Sequence, residues 1–295
     1  MKAAALCLVL VLAACGGSGR VAQDRDGGDA VRTLRRVDIS PTEAGPQGRV
    51  PQFVVQCRFS HMGAADPIVH PGMVHMGHLH VFFGNTGTGA DSTAASLGRG
   101  GTTCDQQLDR AAYWAPALLD HGRPVTPTKA VAYYRPGVGI DPAAVQPYPF
   151  GLKMLGGDQT ATAPQPIDEV AWSCGTGSVR TVTPAPCPPG RPLRLAVAFP
   201  DCWDGRHLDS PDHTAHVARS RDGACPRSHP VPIPQLLLTI TWPVTGTGHA
   251  LSLASGSVLT GHADFVNAWD EGALRTEVAS CLGRGIVCGV AHTRS

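Results

Sequence analysis

Proline and glycine punctuate this chain throughout. They stand in nearly every gap between its apolar runs, 26 prolines and 35 glycines in 295 residues. Proline removes a backbone donor and glycine loosens the chain, so neither supports a long helix. The runs that survive between the breaks are short: QFVVQCRF (52–59), LHVFF (79–83), KAVAYYR (129–135), the stretch 193–199, and LLLTITW (236–242). They alternate or are rich in β-branched and aromatic residues, which is the pattern of strands. One stretch near the C-terminus, ADFVNAWDEGALRTEVASC, carries a helical signal, with Leu274 and Val278 four apart. No internal repeat is evident. The sequence predicts a mainly β chain: a single disulfide-stapled domain of β-sandwich or jelly-roll type, with long loops and few short helices.

The N-terminus, MKAAALCLVLVLAACGGSG, has one lysine followed by an apolar run from Ala3 to Ala14. That run is too short to span a bilayer comfortably and reads as an export signal. Leu12-Ala13-Ala14 followed by Cys15 matches a bacterial lipobox, in which the cysteine thiol takes a diacylglycerol. Residues 1–15 are therefore expected to form a lipoprotein signal peptide whose lipobox ends at Cys15. Residues 16–49, polar and without apolar periodicity, form a flexible tether. Residues 50–295 form the folded domain. The expected location is outside the cell, with the Cys15 lipid holding the protein to the outer face of the cell membrane and the lipid bilayer as a partner.

Ten cysteines are present. Cys7 leaves with the signal and Cys15 carries lipid, leaving Cys57, Cys104, Cys174, Cys187, Cys202, Cys225, Cys281 and Cys288. An even set in an exported chain suggests four disulfides. Pairing by proximity in sequence gives 57–104, 174–187, 202–225 and 281–288. The charge balance, 24 basic against 23 acidic residues, gives no electrostatic case for nucleic acid. The absence of a P-loop or a strand-to-helix glycine fingerprint leaves nucleotide binding unsupported.

Thirteen histidines are present, and they cluster. In GHLHVFFGN, His78 and His80 stand two apart, so on a strand both rings share a face. They suit a divalent-metal clamp completed by a third ligand, an acid/base pair, or a buried polar ladder without chemistry. FPDCWDGRHLDSPDHTAHVA adds Asp204, Asp209, His213 and His216 around Trp203. Carboxylate beside imidazole serves acid/base work and metal surroundings alike, although Asp-Gly and Ser-Pro-Asp are also turn formers. GHADFVNAWD brings Asp264, Asn267 and Trp269 just after His262. Asn85 and Asn267 are the chain's two asparagines, and each lies in a histidine-bearing motif.

In order along the chain, DPIVHPG, HLH, CDQQLDRAAYWAPAL, the 199–218 stretch, CPRSHPVPIPQL and HADFVNAWD resemble the DUF1996 family of secreted bacterial and fungal proteins, over most of residues 52–281. The resemblance implies a secreted, glycan-associated single domain of unassigned function. It carries over no catalytic residue.

Three functions follow as expectations. In the first, His78, His80, His213 and His216 with Asp204, Asp209 and Asp264 line one cleft and hydrolyse cell-envelope or environmental glycan. Trp203 and Trp269, with Asn85 and Asn267, then hold the sugar, and one divalent metal sits on His78, His80 and His216 if the hydrolysis is metal-assisted. In the second, the same residues bind glycan or metal without turnover. In the third, they are loop networks with a structural role alone.

Overall fold

The strand-forming runs pair into one curled sheet. The structure, a computed structural model, describes residues 36–37, 50–177 and 179–289. The expected signal peptide and Cys15 lie outside the described residues, as does the expected tether apart from a two-residue strand. In chain order the strands are β1 (Arg36–Val37), β2 (Gln52–Gly63), β3 (His80–Gly84), β4 (Ala112–Pro116), β5 (Leu118–Asp120), β6 (Arg123–Pro124), β7 (Lys129–Arg135), β8 (Lys153–Gly157) and β9 (Val170–Cys174). They continue with β10 (Leu193–Ala198), β11 (Cys202–Trp203), β12 (Val217–Ala218), β13 (Val231–Pro232), β14 (Gln235–Trp242), β15 (Leu251–Leu253), β16 (His262–Val266) and β17 (Val287–Cys288).

The main sheet runs β8-β16-β4-β3-β2-β7-β14-β10-β9, antiparallel along this path, with β17 parallel to β2 and β1 antiparallel to β17. Its far end returns against its start. A Cβ built on Gly156 of β8 would meet Val197 Cγ1 at 3.0 Å and Phe199 Cγ at 3.1 Å. The missing side chain lets β8 close against β10, so the sheet is nearly closed on itself. Inside lie Phe53, Tyr134, Trp172, Trp242, Phe265 and Trp269, all buried. β14, the apolar run QLLLTITW, is buried along its whole length, as a strand covered on both faces must be.

The four disulfides join Cys57–Cys104, Cys174–Cys187, Cys202–Cys225 and Cys281–Cys288, the pairing expected from sequence proximity. The expected C-terminal helix is divided. Residues 262–266 extend as β16, and the helix runs only over Glu271–Glu277, capped by the Asp270 side chain and followed by a π-helical turn at Val278–Leu282. The reason is composition: HADFV alternates across a sheet, whereas EGALRTE does not.

The half of the sheet made by β3, β4, β16 and β8 is apolar on its outer face as well. Ile68, Phe82, Leu97, Trp114 and Val266 form a second buried cluster there, under the 64–101 loops. A bulge in β2 serves this face. Phe59 pairs with Phe83 and His61 with Phe82. The extra residue between them turns His61 outward, where its ring stacks on Phe82 at 4.6 Å.

Candidate metal centre

β3 and β16 both run antiparallel to β4, so they run in the same direction and begin at the same end of the sheet. His80 is the first residue of β3 and His262 the first of β16. His80 pairs with Pro116, and the register that sets Asp264 against Trp114 brings His262 to the level of Pro116 too. The two backbones are about 10 Å apart across β4. Their rings lean over it, to a centroid separation of 6.2 Å. His78, just before β3, completes the group, with centroids 4.1 Å from His80 and 5.1 Å from His262. Each ring offers one nitrogen, and the three atoms lie within 4.8 Å of one another.

The surroundings orient two of these rings. His80 Nδ1 donates to the Ala65 carbonyl at 3.0 Å, and His262 Nδ1 donates to the Thr260 carbonyl at 2.8 Å. With Nδ1 carrying the proton, Nε2 keeps its lone pair, which is how metal-bound histidines are usually held. Burial, then the neighbouring His262 and His70, pull His78 down to about 4. His80 is driven far down by burial and by His78 and His262, and His262 is lowered by burial. All three imidazoles are therefore neutral near pH 7, the form that ligates.

The unsatisfied polar atoms gather at the same place. Among the described residues, five buried side-chain nitrogens or oxygens have no hydrogen-bond partner: His78 Nε2, His80 Nε2, Trp114 Nε1, Asp264 Oδ2 and Trp242 Nε1. The first four belong to this outer-face patch. Asp264 follows His262 by two residues on the same face. Burial and the nearby Asp66 push its carboxyl well above the usual carboxylate range. Asp66 holds the covering loop by accepting the Ile68 and Val69 amides, each at 3.0 Å. A transition metal fits this donor set: neutral imidazoles, two of them with a fixed tautomer, and an adjacent carboxyl.

His216 does not join the group. Its Nδ1 engages Ser210 Oγ at 2.9 Å and its Nε2 donates to the Lys153 carbonyl at 2.7 Å, so both ring nitrogens are occupied. Lys153 pairs with Val266 and Gly157 with His262, which puts these two levels about 13 Å apart along β8. Asp209 and His213 belong with His216. Asp209 accepts from Lys153 Nζ at 2.9 Å and pairs with His213 Nδ1 at 2.8 Å. Asp204 shapes a turn, accepting the Arg206 and His207 amides and pairing with the His207 ring at 2.6 Å.

The expected sugar-holding residues are structural in their contacts. Trp269 is buried and donates to the Tyr134 hydroxyl at 3.1 Å, so it presents no face to a sugar. Trp203 packs partly against the core and donates to the His207 carbonyl at 2.7 Å. Asn85 is buried and donates to the Leu97 and Arg110 carbonyls, both at 2.8 Å. Asn267 donates to Pro149 O at 2.9 Å and accepts the Trp269 amide at 3.3 Å. A lone buried amide tying two loops together is a structural device. Of the residues expected in one cleft, His78, His80 and Asp264 are brought together. His262, Trp114 and Asp66 were not among those expected. The available signal for His262 was HAD itself, a second pair of donors two apart that matches HLH in spacing.

Fold and site together define a mainly β, disulfide-stapled protein with a three-histidine cluster on the outer face of its sheet. The chain belongs to the DUF1996 family, a domain of unknown function, whose family model matches residues 66–269. No curated protein and no solved structure matches it.

Proposed function

We propose that this is an exported, lipid-anchored surface protein that binds one transition-metal ion at His78, His80 and His262, with Asp264 beside them. The observation that carries the reading is the convergence of three unpartnered buried atoms that can offer a lone pair, His78 Nε2, His80 Nε2 and Asp264 Oδ2, on one patch. Such atoms are costly unless something satisfies them. The Ala65 and Thr260 carbonyls orient His80 and His262, and the covering loop from Asp66 keeps bulk water from the rings. The lipobox at Cys15 supports placement outside the membrane.

A second reading, metal-assisted hydrolysis of envelope or environmental glycan, is favoured by Asp264, whose raised carboxyl suits holding and releasing a proton. A bound metal would supply a polarised water. The chain's own part would be to orient the ligands and to manage that proton at Asp264.

Elemental analysis of chelator-free protein without a His-tag tests the binding reading. Wild type is expected to carry about one equivalent of metal, and His78→Ala/His80→Ala none; a metal-free wild type that also refuses added Zn(II) and Cu(II) would end it. If the site hydrolyses glycan, Asp264→Asn keeps its metal and loses turnover.

A further inference from the structure

The segment that leads into β3 reads Met-Val-His-Met-Gly-His-Leu-His over residues 73–80. The chain has five methionines, and two of them stand here, three residues apart. Met73 is 52% exposed and Met76 61% exposed. Methionine ordinarily fills gaps in cores, as buried Met154 does here. Two exposed thioethers, five and two residues ahead of His78 in the chain, need another account. Between them His75 takes a φ of 68°, a left-handed conformation that side chains larger than glycine rarely adopt. The loop is anchored on both sides of this bend. Gly72 N bonds to Ala90 O at 2.8 Å, and Gly77 lies against His80, where a Cβ would come 3.6 Å from Cε1.

Thioether sulfur is a soft, uncharged donor that suits copper(I) better than the harder zinc(II) and does not suit magnesium, whereas imidazole accepts copper as well. We propose that residues 73–78 form a copper(I) acceptor loop that loads the three-histidine centre, so that the metal of this protein is copper. The inference rests on the metal-binding reading above. Met76 and His78 are at most about 7 Å apart along the backbone, so the ion can move by ligand exchange. Each step breaks one Cu–S bond as one Cu–N bond forms, and copper stays Cu(I) throughout, so no oxidant or reductant is required.

The test is an anaerobic Cu(I) titration of the mature chain against a chromophoric Cu(I) chelator, with X-ray absorption on the copper-loaded protein and a parallel Zn(II) titration. Once the first equivalent has filled the centre, wild type is expected to hold a second Cu(I) with sulfur in its first coordination sphere. Met73→Leu/Met76→Leu, a change confined to exposed side chains, is expected to lose that sulfur and weaken binding of the second Cu(I) at least about tenfold, with Zn(II) binding unchanged. Unaltered affinity for the second Cu(I) in this variant, or no sulfur in the wild type, overturns the copper loop while leaving the centre standing, provided His78→Ala/His80→Ala still abolishes Zn(II) binding. If wild type takes up neither ion, both the loop and the centre are wrong.

Discussion

At Gly84 the close of the FFGN motif has a steric explanation. A methyl group there would lie 2.4 Å from the Ala111 carbonyl oxygen and 2.8 Å from Tyr113 Cδ2, at a φ of 72°. Gly84→Ala is therefore expected to cost about 3 kcal/mol, read as a lower urea midpoint. Asp109 makes a different prediction. Burial, against hydrogen bonds from Tyr113 and Ala111, pushes its carboxyl up to about 8. The folded state thus holds the proton more tightly than the unfolded chain, where the value is near 4. The sign follows: this stability is full below about pH 4 and drains away as pH rises toward 8. Between pH 4.5 and 7.5 wild type should lose up to about 4 kcal/mol that Asp109→Asn does not. A variant with an undiminished slope would show that other groups set it. Residue by residue, HLH was legible because its two donors share a motif. His262 was not, since the pairing that carries it to His80 passes through β4, and nothing in YWAP announces that strand as the bridge.

Among the elements, legibility followed local pattern. KAVAYYR is β7 with the same bounds as its sequence run, and LLLTITW lacks only Gln235 of β14. KMLGG and VAWSC are strands that sequence alone did not mark, because glycine and serine dilute their pattern while their neighbours in the sheet hold them extended. The 199–218 stretch misled through chemistry. Its carboxylates and imidazoles do meet, but they bond to one another and to Lys153, and His216 keeps neither ring nitrogen free. The disulfides allow a comparison of elements. Cys57–Cys104 closes a separation of 47 residues and Cys281–Cys288 one of 7. Chain entropy assigns them about 4 and about 2 kcal/mol. Paired Cys→Ala replacements should lower the thermal midpoint in that order, and the reverse order would mean that native contacts, rather than loop closure, dominate.

On the scale of the whole molecule, a curled sheet with a second apolar cluster on its outer face positions the site. The inner core makes the protein stable, and the outer cluster with its covering loop keeps three imidazoles neutral and close. Placement at the membrane is a separate proposal that rests on Cys15. Cys15→Ala is expected to move the protein from the membrane fraction to the soluble one, read by blotting of fractionated cells; continued membrane association would mean that another feature holds it. The central claim is that His262, brought in by the sheet, is the third ligand, and that His216 is a structural residue. Its most direct measurement is the metal content of His262→Ala beside His216→Ala, both purified without chelator. The account predicts that His262→Ala is empty while His216→Ala, though less stable, keeps about one equivalent. Metal retained by His262→Ala and lost from His216→Ala would contradict it.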